Sequence, residues 1–177
     1  RIFGGLLIMP NASAAPTPRA LDAPTILVVE DDKNMRSLIT TVLEQAPLAA
    51  QIVPLETAQA AMDFVELHDV AVIVSDLSMP GASGLDLLNF VKTRSSTTQL
   101  VMVTGHATVE SAIKALKSGA YDYVLKPFDT DELCCTIQRA LERYLLTAEN
   151  QRLREQQKNY AETGELIGQS RSIDRVR

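Results

Sequence analysis

The chain has 177 residues, of which 46% are hydrophobic and 5% aromatic, with no Trp and a formal net charge of −5. This length holds one ordinary domain with flanking segments around an aliphatic core, and the acidic balance argues against nucleic-acid binding by these residues. The two cysteines, Cys134 and Cys135, are adjacent; that is neither a disulfide framework nor a zinc-knuckle spacing, so a reducing, cytoplasmic location is expected.

Residues 1–24 contain a short apolar run, Phe3 to Met9, followed by an Ala/Pro/Ser/Thr-rich stretch. The run is far below the roughly 18 residues needed to span a bilayer. An irregular leader and no membrane association are expected. Thr25–Val29 reads as a buried strand that ends in Glu30-Asp31-Asp32. From Asn34 the period becomes helical, with Met35, Leu38, Ile39, Val42, Leu43 and Ala46 on one stripe stopped by Pro47. Ile52–Leu55 is a short strand near an edge, because Pro54 cannot donate to a central ladder. Thr57 caps a second helix with Ala61, Phe64, Val65 and His68 inward.

Ala71–Ser75 is the clearest central strand and ends at Asp76. A loop at Met79-Pro80-Gly81 leads to a helix from about Gly84 carrying Leu85, Leu87, Leu88 and Val91. Leu100–Val103 is the next strand, closed by Thr104-Gly105. Thr108 caps a helix with Val109, Ala112, Ile113 and Leu116 on one face, ended by Gly119. Tyr123–Leu125 delivers Lys126-Pro127, and Thr130 begins a fifth helix. Its stripe, Leu133, Ile137, Leu141, Tyr144 and Ala148, outruns a compact domain, and the excess near Tyr144 to Ala148 calls for a partner.

Five alternating strands and helices, with uninterrupted apolar strands, predict an α/β fold: a doubly wound (βα)5 parallel sheet covered on both faces. In such sheets ligands bind beyond the C-terminal strand ends. Glu30, Asp31, Asp32, Asp76, Thr104 and Lys126 all fall there.

Carboxylates grouped in this way repel one another unless a cation joins them. Mg2+ prefers oxygen ligands and is commonly held by a couple of carboxylates; Asp31 and Asp76 are the candidates, with Glu30 acting on a metal-bound water and the Ser78 carbonyl as a further ligand. Asp32 adds field or caps the following helix. No His/Cys cluster suggests zinc. Lys126 and Thr104 supply an ammonium and a hydroxyl that suit a transferring phosphoryl group, with Asp76 as the nucleophile.

The segments Ile26–Asp32, Asp76–Gly84, Val103–Gly105 and Lys126–Phe128 resemble the receiver domain of bacterial two-component response regulators over residues 25–146. The resemblance implies a five-stranded order 2-1-3-4-5 and a phosphoryl group accepted on Asp76 from a histidine kinase. It implies Mg2+ on Glu30, Asp31, Asp76 and Ser78, with Thr104 and Lys126 on the phosphoryl group. Tyr123 would be the aromatic switch working with Thr104, and His106 would tune dephosphorylation. Asp122–Phe128, the long fifth helix and Glu165–Arg177 are similar to the NtrC-type, sigma-54-dependent activators. On that likeness residues 147–164 are a helical linker forming a homodimer, and residues 165–177 open an AAA+ domain. No Walker A loop or DNA-recognition helix occurs in these residues, so ATP hydrolysis and DNA binding belong to other domains of a parent protein.

Competing readings are weaker. A flavodoxin-like module would need a phosphate-cradling loop after the first strand, where Glu30-Asp31-Asp32 stands instead. An Asp-nucleophile phosphatase would need a carboxylate two residues beyond Asp76, where Ser78 stands. A dimerisation scaffold of the same fold would lack Mg2+ binding.

Overall fold

The computed structural model describes residues 23–105 and 109–165; the expectations for Thr108 and His106, for the leader up to residue 22 and for the AAA+ start at 165–177 past its first residue lie outside the described residues. Short β-branched runs form the strands β1 (Thr25–Val29), β2 (Gln51–Leu55), β3 (Val72–Ser75), β4 (Gln99–Thr104) and β5 (Asp122–Leu125). They pair in parallel in the order β2-β1-β3-β4-β5, as expected, with β2 and its Pro54 at an edge. Connecting them are α1 (Lys33–Gln45), α2 (Ala58–Leu67), α3 (Gly84–Arg94) and α4 (Val109–Lys117); α5 (Thr130–Glu165) follows β5.

Side-chain alternation along the strands divides the core into two layers. Ile26, Val28, Val72, Val74, Val101 and Val103 join Ile39 and Leu43 of α1 and Leu133, Ile137 and Leu141 of α5. Leu27, Val29, Ile73, Leu100 and Met102 meet Ala61, Leu87, Leu88, Val91 and Ala115 on the opposite face. Each such fully buried aliphatic side chain contributes about 1.5–3 kcal/mol relative to exposure. A sheet buried on both sides needs apolar residues at every central position, which is why these strands read as continuous runs.

The helix starts are chemically fixed. Asp32 accepts from the Met35 N–H at 2.8 Å and Thr57 from that of Ala60 at 3.1 Å. Ser83 and Asp86 form a reciprocal capping box on α3, which supplies partners for otherwise orphaned N–H groups. Gly119, at φ +93°, ends the fourth helical segment in the left-handed conformation expected of a helix-terminating glycine.

Several inward assignments are corrected. Leu38, Ile113 and Leu116 are about half exposed and His68 is exposed, whereas Ala115 is fully buried. An apolar stripe is wider than the strip of helix a neighbour covers, so its flanks remain in solvent. Tyr144 was expected to need an outside partner, yet it packs against the core layer built on α1 and α5. Among the described residues, the large exposed apolar side chains of α5 are Leu145 and Leu146, inside the Tyr144–Ala148 stretch, and Leu153. Among the described residues, no helix is long and apolar enough to cross a membrane.

The α3 start is packed hard against the end of β3. The Gly84 N–H donates to the Leu77 carbonyl at 3.1 Å, and a Cβ at Gly84 would lie 2.2 Å from the Asp76 carbonyl oxygen. Main chain cannot swing aside as a side chain can. Gly84→Ala is expected to cost about 2 kcal/mol of stability, read as a lowered midpoint in urea unfolding; an unchanged midpoint would contradict this packing account.

Candidate functional site

The parallel register brings the strand ends to one edge. Val29 of β1 lies beside Ser75 of β3, and Thr104 of β4 beside Leu125 of β5. The next residues, Glu30, Asp76 and Lys126, therefore emerge together. Their backbones continue the ladder: the Glu30 N–H donates to Leu55 at 3.2 Å, Asp76 to Val29 at 3.0 Å and Lys126 to Thr104 at 2.9 Å. Rigid main chain thus sets where the three side chains start.

Lys126 reaches across the sheet edge and joins two acids. Its Nζ donates to Glu30 Oε2 at 2.6 Å and to Asp76 Oδ2 at 2.8 Å. The other Asp76 oxygen, Oδ1, accepts from the Ser78 N–H at 3.0 Å, and the Ser75 hydroxyl donates to the Asp76 carbonyl at 2.9 Å. Asp76 is thereby oriented from both sides. The Lys126–Pro127 peptide is cis.

Burial makes this cluster costly and therefore informative. Glu30 is 2% exposed and Asp76 9%. Burial pushes the Glu30 carboxyl above the usual range; the hydrogen bond and charge of Lys126 oppose that, and the neighbouring Asp76 adds to it. Burial alone would draw the Lys126 ammonium down, but its hydrogen bonds to Asp76 and Glu30 and their charges together hold it above its ordinary value. Glu30 rises because one positive charge, shared between two acids, does not fully offset its desolvation, whereas Lys126 rises because two acids outweigh its own. The Lys126 charge persists at neutral pH; the stability it contributes is fully present below about pH 10 and is lost as the pH rises through its elevated pKa.

Asp31 completes the arrangement. One oxygen each from Glu30, Asp31 and Asp76 lie within 4.8 Å of one another. These three hard oxygen donors with one ammonium leave a net negative cluster, a donor set that suits Mg2+ rather than zinc or copper.

Of the other residues singled out in the sequence, Asp32 caps α1, and Thr104 is buried at the end of β4, its carbonyl holding the Lys126 N–H. Tyr123 is half-buried against the core layer of α2, α3 and α4. Ser78 meets Asp76 through its N–H. Two residues beside the site were not foreseen. Gly84 permits the close approach to Asp76, and the spacing of Gly81 and Gly84 was the available signal. Arg36, one turn beyond Asp32, donates to the Glu30 and Asp31 carbonyls; an arginine on a helix carries no sequence mark of such a role.

Comparison with known proteins gives this geometry its context. The family described as the response regulator receiver domain matches residues 26–138. The C4-dicarboxylate transport transcriptional regulatory protein DctD of Pseudomonas aeruginosa is 35% identical over 159 residues, covering 88% of this chain and 34% of that protein. DctD of Rhizobium meliloti is 31% identical over 155 residues, covering 88% and 33% respectively. The chain thus spans about a third of the length of these curated relatives. Among solved structures, NtrX from Brucella abortus superposes with a TM-score of 0.66 at 31% identity, covering 75% of this chain and 29% of that one. The Francisella response regulator 1452 receiver domain gives 0.61 at 30% identity, covering 70% and 98%. With sheet order, acidic cluster and sequence in agreement, the chain belongs to the response regulator receiver domain family and is homologous to the DctD, NtrX and NtrC regulators.

Proposed function

We propose that this domain accepts a phosphoryl group on Asp76 from a sensor histidine kinase, with Mg2+ required. The observation that carries the reading is the oxygen cluster of Glu30, Asp31 and Asp76 closed by Lys126. An Asp76 carboxylate oxygen attacks phosphorus as the P–N bond of a phosphohistidine breaks, the electron pair returning to the imidazole. Glu30, Asp31, Asp76 and the Ser78 carbonyl would hold Mg2+, which when bound supplies positive charge beside the transferring oxygens.

Lys126 neutralises developing charge on the phosphoryl oxygens, and the Thr104 hydroxyl donates to one of them. The acyl phosphate is lost when water attacks phosphorus and the P–O bond to Asp76 breaks; His106 tunes access of that water. Movement of Thr104 toward the phosphoryl group opens space that the Tyr123 ring fills, so that the two form the switch. Residues 25–146 are the receiver, 147–164 a linker that dimerises, and 165–177 the start of an AAA+ domain, after an irregular leader at 1–24. Homology to DctD, NtrX and NtrC supports a parent protein that activates sigma-54-dependent transcription in the cytoplasm, with ATPase and DNA-binding domains outside this chain.

Incubation with acetyl phosphate and Mg2+ is expected to add one phosphoryl group by intact mass, and none to Asp76→Asn or with chelator present. No gain by folded, Mg2+-bound protein would overturn phosphotransfer and leave an interaction module. Lys126→Met tests the cation separately. Leaving Glu30 and Asp76 buried without their partner should lower the metal-free stability by about 3 kcal/mol, while Mg2+ still binds and phosphoryl gain slows more than tenfold. Unaltered metal-free stability in urea would contradict the role given to this ion pair.

A further inference from the structure

We propose that Arg36 is a positioning residue that clamps the turn between β1 and α1 and so sets how tightly the acidic cluster holds its cation; this rests on the Mg2+ site proposed above. Asp31 is exposed, and among the described residues no hydrogen bond reaches its side chain. Its carboxylate is therefore aimed by main chain rather than by packing. The main chain at that point is held by Arg36. One guanidinium nitrogen of Arg36 donates to the carbonyl oxygens of both Glu30 and Asp31, the second at 3.1 Å. The side chain is only 16% exposed, and its other terminal nitrogen lies 3.7 Å from a Glu56 carboxylate just past β2.

Two cations thus serve one acidic cluster in different ways. Lys126 occupies carboxylate oxygens directly. Arg36 spends its hydrogen bonds on neutral carbonyls, fixing the two peptide planes from which the Glu30 and Asp31 side chains project without taking up a carboxylate oxygen of either. The planar guanidinium directs both hydrogens of one nitrogen at adjacent carbonyls in a fixed geometry, which an ammonium on a flexible stem holds less well. The backbone of α1 reinforces the arrangement, because the Arg36 N–H donates to the Asp32 carbonyl at 2.9 Å and Asp32 in turn caps Met35. Turn, cap and clamp form one unit, and groups that orient metal ligands commonly change affinity by 10–100-fold when removed.

The test is calorimetric titration of Mg2+ into the unaltered protein, Arg36→Met, Arg36→Lys and Glu56→Gln, with the metal-free thermal midpoint of each measured alongside. Arg36→Met is expected to weaken Mg2+ binding by at least tenfold. Arg36→Lys should recover only a minor part of that loss, and Glu56→Gln should change affinity less than threefold. A merely structural arginine would lower the metal-free midpoint and leave the dissociation constant where it was, and that result would overturn the clamp. Should Arg36→Met fail to fold, Arg36→Lys decides: affinity within twofold of the unaltered protein overturns the proposal, and a loss of fivefold or more supports it. Absence of Mg2+ binding by the unaltered protein would overturn the metal site itself, an outcome distinct from equal binding by all four proteins.

Discussion

The two hydrogen bonds from one Lys126 ammonium to Glu30 and Asp76 are the interaction on which the rest of the site depends. Two like charges about 4 Å apart repel by about 4 kcal/mol at the effective dielectric of a protein site, and here a third carboxylate, Asp31, stands beside them. A fold cannot bury such groups without holding their backbones against the repulsion. The parallel sheet does so by letting Glu30 and Asp76 each continue a ladder hydrogen bond at the end of its strand. Residual negative charge is then a property of the fold, and on the proposed function it attracts a divalent cation and, once neutralised, admits an incoming phosphoryl group.

Around this cluster the remaining features have local causes. Gly84 lets α3 begin against the Asp76 carbonyl, and the Ser83 capping box fixes the direction in which that helix leaves. Asp32 and Arg36 perform the equivalent task on the other side, where β1 passes into α1. Each loop that carries a carboxylate is therefore tied to the first turn of the helix that follows it. Movement at the phosphoryl site would be transmitted first through these helix starts and only then to the outer surface.

The sheet and the strand-end polar residues were legible because a two-sided parallel sheet leaves an unmistakable trace: Val72-Ile73-Val74 and Leu100-Val101-Met102 allow no polar interruption. The same logic places Glu30, Asp76, Thr104 and Lys126 at one edge from the sequence alone. Helix faces were less legible. Leu38, Ile113 and Leu116 share a period with buried residues, but whether a flank is covered depends on the breadth of the neighbouring element, which periodicity does not encode. Tyr144 differs in the opposite direction, since the cluster it packs against joins strand and α1 residues to its own helix, and the period of α5 alone does not encode the former. Arg36 was illegible for another reason: its partners are carbonyl groups, which every residue carries, so no residue type announces them.

The proposed binding of a divalent cation by the acidic cluster of Glu30, Asp31 and Asp76 is tested most directly by thermal unfolding. Saturable binding to the native state raises the unfolding midpoint, because ligand favours the folded form by mass action. Mg2+ should raise the midpoint of the unaltered protein by several degrees, with saturation, while NaCl of matched ionic strength should not, and Asp31→Asn should lose most of the rise. An equal rise in Asp31→Asn, or none in the unaltered protein, would contradict the account.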